Sequence, residues 1–247
     1  MSRISANAGF GPGCNQGWRI AKGDPVLFLN PDTECLPGSV AILEKGLSSN
    51  PDFWAAGGML LGRSQKPQSG FNVRAVPCLG STAAERLLLD EIFPRNRWTR
   101  RYRMTDRHWE SAGEVDQPAA ACLLVRKPVL ERLEGFDERF TPAWFEDVDL
   151  CKRIHTAGGK IAFDPLARFV HHGGISLRTL TREEFLRHYH RNQILYFQKH
   201  HGNAASRRVR RLVIAGLRLR ALLFRGSART AYWNAARHFA RAGRAGA

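Results

Sequence analysis

Residues 25–33 read Pro25-Val26-Leu27-Phe28-Leu29-Asn30-Pro31-Asp32-Thr33. The short unbroken apolar run is typical of a strand buried on both faces, and Asn-Pro-Asp stops it. Beyond it, Leu36, Val40, Leu43 and Leu47 recur at helical spacing, which predicts a helix over 36–48. Ala55 to Leu61 reads as a second strand. Strand, helix, strand in that order predicts a parallel α/β sheet. Upstream, residues 7–17 (Asn7-Ala8-Gly9-Phe10-Gly11-Pro12-Gly13-Cys14-Asn15-Gln16-Gly17) form a glycine-rich turn, followed by a short helix to Ala21 that Gly23 ends.

Downstream, residues 62–118 mix Gly, Pro and Arg and read as a long surface excursion with a helical patch at 82–92. Ala121–Val125 is a further buried strand, and Gly135 ends the short helix after it. Phe145 to Ala157 reads as a helix closed by Gly158-Gly159. Residues 161–163 and 167–170 read as two short strands, followed by His171-His172-Gly173-Gly174. From Arg182 onward the pattern is helical.

The 247 residues are 43% hydrophobic and 24% charged, enough for a packed core and too apolar for wholesale disorder. The sequence has no apolar run of about 18 residues, which argues against an ordinary transmembrane helix. The first 25 residues do not read as a signal peptide. The cysteines (Cys14, Cys35, Cys78, Cys122, Cys151) are odd in number and contain no CxxC pair, which fits a reducing cytosol and excludes a disulfide scaffold. The net charge of +16 is lopsided. Residues 1–184 hold 24 Lys+Arg against 22 Asp+Glu, whereas residues 185–247 hold 14 Lys+Arg and no acid. The expected organisation is therefore a nearly neutral globular domain over 1–184 and a basic helical tail over 185–247, the tail suited to a polyanion.

Three places carry chemistry. Asp32 follows a strand end, where open α/β sheets bind ligands, although Pro-Asp is also ordinary turn chemistry. Glu146, Asp147 and Asp149 open a helix, where acids complement the dipole; a carboxylate held among Trp144, Phe145, Val148 and Leu150 also suits a general base. His171 and His172 point to opposite sides of their strand, so one of them can join Asp32 in an O/N site suited to Mg²⁺ or Mn²⁺ carrying phosphate. His188, His190, His200 and His201 read as surface residues of the tail.

Taken together, Leu29-Asn30-Pro31-Asp32-Thr33, Gly135-Phe136-Asp137-Glu138, Phe145-Glu146-Asp147-Val148-Asp149-Leu150-Cys151-Lys152-Arg153 and His171-His172-Gly173-Gly174-Ile175-Ser176 resemble the family 2 glycosyltransferases, and among them the bacterial rhamnosyltransferase type. The resemblance implies a GT-A fold: a mixed, mostly parallel sheet flanked by helices. It also implies a nucleotide-diphosphate sugar donor and a divalent Mg or Mn ion. Asn30 and Asp32 stand at the family's DxD position, with Asp32 the metal and diphosphate ligand. Glu146-Asp147 stands at its ED motif, with Asp147 the catalytic base. His171 stands at the downstream metal ligand. Asp137, Glu138 and Trp144 fall on the acceptor side. Ala120 replaces a usual Gly and is expected to narrow that side. The family's nucleotide-binding strands would precede residue 1, so the sheet is expected to expose an apolar edge.

In the tail, Arg207, Arg208, Arg210, Arg211, Arg218 and Arg225 share one helical arc, and Val209, Leu212, Val213, Leu217, Leu219, Leu223 and Phe224 the opposite one, with Arg220 intruding and able to snorkel. That pattern fits an interfacial helix on an anionic membrane or a helix docked on the domain; nucleic acid is disfavoured because no recognised motif accompanies the charge. The leading expectation is an inverting transfer of a sugar to a glycan or lipid-linked acceptor, by a cytoplasmic protein at the inner face of the membrane. The alternatives are a non-catalytic remnant of such an enzyme and a polyanion-binding protein acting through the tail.

Overall fold

The computed structural model describes residues 9–105, 111–173 and 180–242. It forms two compact units. The first holds the described residues of 1–76, 103–142 and 146–175; the second holds those of 77–102, 143–145 and 176–247. The sequence division at 184 differs from this: the stretch 77–102, read as a surface excursion, joins the C-terminal helices.

The first unit opens with helix α1 (Phe10–Ile20), which runs through the glycine-rich segment that was expected to be a turn. Strands β1 (Val26–Leu29) and β2 (Thr33–Cys35), helix α2 (Ser39–Ser48) and strand β3 (Phe53–Leu61) follow. Short strands β4 (Val73–Arg74), β5 (Gly113–Glu114) and β6 (Gln117–Pro118) lead to β7 (Cys122–Val125) and α6 (Lys127–Leu133). Helix α7 (Glu146–Thr156) and strand β8 (Lys160–His171) complete it.

The main sheet is mixed, in the order β1-β7-β3-β8-β2, with β5 also on β8. Strands β3 and β8 are parallel neighbours. β1 and β3 share a direction but do not touch, because β7 runs antiparallel between them. The run at 26–29 is therefore an edge strand, not one buried on both faces: only Phe28 is buried, and Leu29 is exposed. The two strands expected within 160–171 are one, with its register shifted opposite Gly58 and Met59.

Side chains alternate across the sheet and divide the core into two layers. Leu123, Val125, Met59 and Leu61 pack on one face with Trp18 of α1, Leu130 of α6 and Leu150, Cys151 and Ile154 of α7. Cys122, Leu124, Ala56 and Leu60 pack on the other with Leu43 and Leu47 of α2. At the centre, Gly57 and Gly58 admit close neighbours: a Cβ on Gly57 would sit 2.5 Å from Pro118 Cβ, and one on Gly58 would sit 2.4 Å from the Ala167 carbonyl. Gly57 lets the segment before β7, and Gly58 lets strand β8, lie tightly against β3.

The second unit is helical: α3 (Leu79–Arg86), α4 (Leu89–Ile92), α5 (Arg97–Arg103), α8 (Arg182–Leu223) and α9 (Gly226–Ala242). Thr181 and Glu184 cap α8 reciprocally, and Gly202 (φ 79°) breaks it into two helical segments. Val209, Val213 and Leu217 are buried, while Leu223 and Phe224 are exposed, so the apolar arc of 207–225 lies mostly inside this unit. Arg220 does not snorkel: it donates to the Glu85 and Arg86 carbonyls at the end of α3, 2.8 Å each. His190, expected on the surface, is buried between Gln193 and Arg86, and burial pushes its pKa well down.

Candidate active site

The carboxyl ends of β1, β3 and β8 lie at one end of the sheet, the position where such sheets bind ligands. After β1 the chain turns at Asn30-Pro31-Asp32-Thr33, with Thr33 N donating to the Asn30 carbonyl (3.0 Å). Asn30 N donates to the Ala121 carbonyl, 3.1 Å. Strand β2 then pairs with β8 so that Thr33 faces His171 in the ladder, and His172 N donates to the Asp32 carbonyl.

That register places Asp32 Oδ1 3.5 Å from His171 Nε2, both side chains nearly buried. On the other side of the ring, His171 Nδ1 is 3.0 Å from Gln68 Oε1, while Gln68 Nε2 donates to the His171 carbonyl at 2.8 Å. The amide that donates through nitrogen presents its oxygen to Nδ1, so Nδ1 carries the proton in the neutral ring. Phe71 stacks on the imidazole with ring centres 5.4 Å apart. Burial lowers the His171 pKa against the opposing pull of Asp32, and His172 lowers it further. A neutral His171 therefore turns its Nε2 lone pair toward the Asp32 carboxylate. Two acceptors facing each other are an arrangement a cation satisfies. His172 pairs instead with Glu34, 2.8 Å away.

Asp147 lies at the start of α7. Its Oδ2 accepts from Ala120 N (3.3 Å) and Gln117 Nε2 (3.4 Å), and its Oδ1 from Val148 N (2.8 Å). Burial raises its pKa, while the Ala120 and Val148 amides and the Arg74 charge pull it down. The turn after β1 and Asp147 thus meet on neighbouring residues, Ala121 and Ala120, at the entry to β7. Ala120 is itself buried in the core.

The other acids of this helix have different surroundings. Glu146 is buried, and its Oε2 has no hydrogen-bond partner. Burial, then the Asp147 charge, raises its pKa well above the ordinary glutamate range, which favours its protonated form. Cys14 of α1 feels it, its thiol pushed up to about 12 by burial and by Glu146. Asp149 is fully buried against Arg153 Nε (2.7 Å), and Arg153 also donates to the Leu133 and Gly135 carbonyls, a structural ion pair.

Asn15 of α1 clamps the 135–138 loop. Its Oδ1 accepts from Phe136 N and Trp18 Nε1, and its Nδ2 donates to the Phe136 carbonyl and Glu138 Oε1. Asp137 pairs with Arg139 at 2.6 Å. In the second unit, Trp144 and Phe145 both hold positive φ (74° and 72°). Asn192 of α8 donates to the Ala143 and Trp144 carbonyls, and Trp144 packs edge-on against Phe185.

The N-acetylglucosaminyl-diphospho-decaprenol L-rhamnosyltransferase of Mycobacterium tuberculosis is 31% identical over 179 residues, 72% of this chain and 57% of its own length. The O-antigen biosynthesis protein RfbC of Myxococcus xanthus is 29% identical over 167 residues, 66% of this chain and 12% of its own. The crystal structure of GalNAc-T7 with UDP, GalNAc and Mn²⁺ matches with a TM-score of 0.54 at 13% identity, over 82% of this chain and 39% of that one. This chain is similar in sequence to a rhamnosyltransferase and an O-antigen biosynthesis protein, and its fold is the GT-A-like fold of a glycosyltransferase structure. No protein-family model matches it. It spans little more than half the length of the mycobacterial relative.

In this glycosyltransferase homologue, Asp32 and His171 suit a divalent ion: a hard oxygen and a borderline nitrogen, with the tautomer set by Gln68. Among the described residues no group of three or more His, Cys, Asp or Glu could hold a metal, so Asp32 and His171 by themselves are a two-ligand pair. Gln68 and Arg74 escape a reading of the sequence. Both lie in the 62–118 segment, where neither periodicity nor motif marks them.

Proposed function

We propose that the chain carries out inverting transfer of a sugar, with rhamnose the leading candidate, from a nucleotide-diphosphate donor to a lipid-linked glycan acceptor. The observation that carries this reading is the pairing of Asp32 with His171 at the carboxyl ends of the strands, with the Asp147 carboxylate bonded to Ala120 N at the entry to β7. The names of the relatives support the sugar and the acceptor class.

Asp147 is the general base. As the acceptor hydroxyl oxygen bonds to the anomeric carbon, its proton passes to Asp147, and the bond from that carbon to the diphosphate oxygen breaks on the opposite face. The diphosphate leaves with the electron pair, and the anomeric centre inverts. A raised pKa makes the ionised carboxylate a stronger base. Asp32 and His171 would hold the Mg²⁺ or Mn²⁺ ion, which supplies charge neutralisation of the leaving diphosphate. Asn30 places the donor turn through its backbone bond to Ala121. Asp137, Glu138 and Trp144 belong to the acceptor side. Glu146 is the neighbouring acid of the same helix start.

A lipid-linked acceptor places the protein at a membrane surface, on the cytoplasmic side where nucleotide sugars are made. No described helix is long and apolar enough to cross a membrane, so the association would be peripheral. The deciding assay uses a labelled nucleotide-diphosphate rhamnose and an N-acetylglucosaminyl-diphospho-polyprenol. Asp147→Asn should lower turnover by at least ~100-fold with an unchanged circular dichroism spectrum. Turnover equal to the wild type would remove Asp147 from the mechanism.

A further inference from the structure

We infer that one end of the second unit, formed by the tip of α4 and the α8–α9 corner, is a docking edge for an anionic lipid bilayer. The inference rests on the membrane-side reading above and narrows it to named residues. The interfacial helix expected from the sequence cannot serve, because Val209, Val213 and Leu217 are spent on packing inside the unit. Apolar groups are instead open at the end of that helix: Leu222 is 76% exposed, Leu223 62% and Phe224 43%. A second open pair, Ile92 and Phe93, terminates α4, each more than 60% exposed.

These two places are far apart in sequence but share an anchor. Arg220, one helical turn before the corner, bonds the Glu85 and Arg86 carbonyls that end α3, three residues before α4 begins. Gly216 allows this approach, since a Cβ there would stand 2.4 Å from the Arg86 carbonyl. The buried Asp90 of α4 lies close enough to influence Arg220 electrostatically.

The charge around these apolar groups specifies the occupant. Arg95, Arg97, Arg100 and Arg101 follow the α4 tip, and Arg218, Arg225 and Arg229 flank the corner, all exposed. Glu91 is the exposed acid among them, and α9 contributes none. Single exposed apolar residues are ordinary; clustered ones framed by arginine match an interfacial layer of acyl chain and anionic headgroup. Trp233, 47% exposed, lies four residues beyond Arg229 and four before Arg237, an amphipathic ring among cations on the outer side of α9.

The test is co-sedimentation of the full chain with phosphatidylcholine vesicles and with mixed phosphatidylglycerol–phosphatidylcholine vesicles. The wild type should partition to the mixed vesicles and hardly to phosphatidylcholine alone. Leu222→Ser/Leu223→Ser/Phe224→Ser and, separately, Ile92→Ser/Phe93→Ser should each lower partitioning by about tenfold or more. Arg225→Gln should lower it by about fivefold. Leu166→Ser, an exposed apolar residue of the first unit, should change nothing. Unchanged circular dichroism and thermal midpoints would show that the variants fold. If the wild type binds neither vesicle, the membrane-side reading falls with this one. If it binds and the two apolar variants bind equally well, this edge alone is refuted. Equal binding to both vesicles, or a concentration-dependent dimer abolished by the triple variant, would also overturn it, the latter assigning the edge to a second copy of the chain.

Discussion

Asp32 Oδ1 and His171 Nε2 stand 3.5 Å apart although 138 residues separate the α-carbons' owners Thr33 and His171 in the chain; antiparallel pairing of β2 with β8 makes those two ladder partners. Gln68 then orients the imidazole from the far side through both ends of its amide. A ligand pair built on a strand register is rigid, and its second ring nitrogen is committed to protein.

The first prediction follows from that orientation. Gln68→Leu should weaken divalent-ion activation by about 10- to 100-fold while leaving saturating-metal turnover largely intact. Asp32→Ala should weaken donor binding as well. Because burial depresses the His171 pKa, the ring stays neutral below its ordinary value of 6.5. Metal activation should therefore persist to more acid pH than a solvent-exposed histidine site allows. Activity titrated with Mn²⁺ across pH checks this, and full activity in excess chelator would exclude the site.

A second prediction concerns Arg74 and Asp147. Burial raises the Asp147 pKa above its ordinary 3.8, and the Arg74 charge opposes that rise. Arg74→Gln removes the opposition. The acid limb of the kcat/KM profile should move to higher pH in this variant, with the plateau little changed. An acid limb that stays in place would separate Arg74 from the base.

Glu146 yields a stability prediction with a definite sign. Its native pKa is raised, so between the ordinary 4.5 and that higher value the folded state holds a proton that the unfolded state has lost. Stability contributed by the protonated side chain falls as pH rises through this window. Glu146→Gln, neutral throughout, should be more stable than the wild type at alkaline pH and equal to it below pH 4.5. Urea denaturation at the two extremes checks the crossover; parallel curves would contradict it.

Asn15 offers a fourth. It satisfies two donors and one acceptor of the buried 136 region and its neighbour Trp18, and also meets Glu138. Asn15→Ala leaves those buried groups without a partner and should cost about 2–4 kcal/mol. Loss of less than ~0.5 kcal/mol in chemical denaturation would mean that the loop is held by other contacts.

The sequence by itself determined the elements whose hydrophobic period is strong and whose ends carry punctuation. Helix α7, closed by Gly158-Gly159, falls within a residue of its expected span, as does β1, while α2 ends where expected but starts three residues later. The motif residues also carry a resemblance to glycosyltransferases before any coordinates, because their spacing is local and their order is linear. Tertiary structure alone decided the rest. That Val26–Leu29 is an edge strand depends on which partner β7 takes, and periodicity does not encode neighbours. That Val209, Val213 and Leu217 on the apolar side of this helix are buried, not lipid-facing, depends on α3 and α9 covering them, an event between segments more than 100 residues apart on one side and adjacent on the other. The roles of Glu146, Asp147 and Asp149 separate for the same reason. Three acids in four residues of one helix start are alike in sequence, but one meets an arginine, one meets the amide of Ala120, and one is buried with a carboxyl oxygen that has no hydrogen-bond partner. A carboxylate's pKa and function follow from what surrounds it, and surroundings are made by the fold.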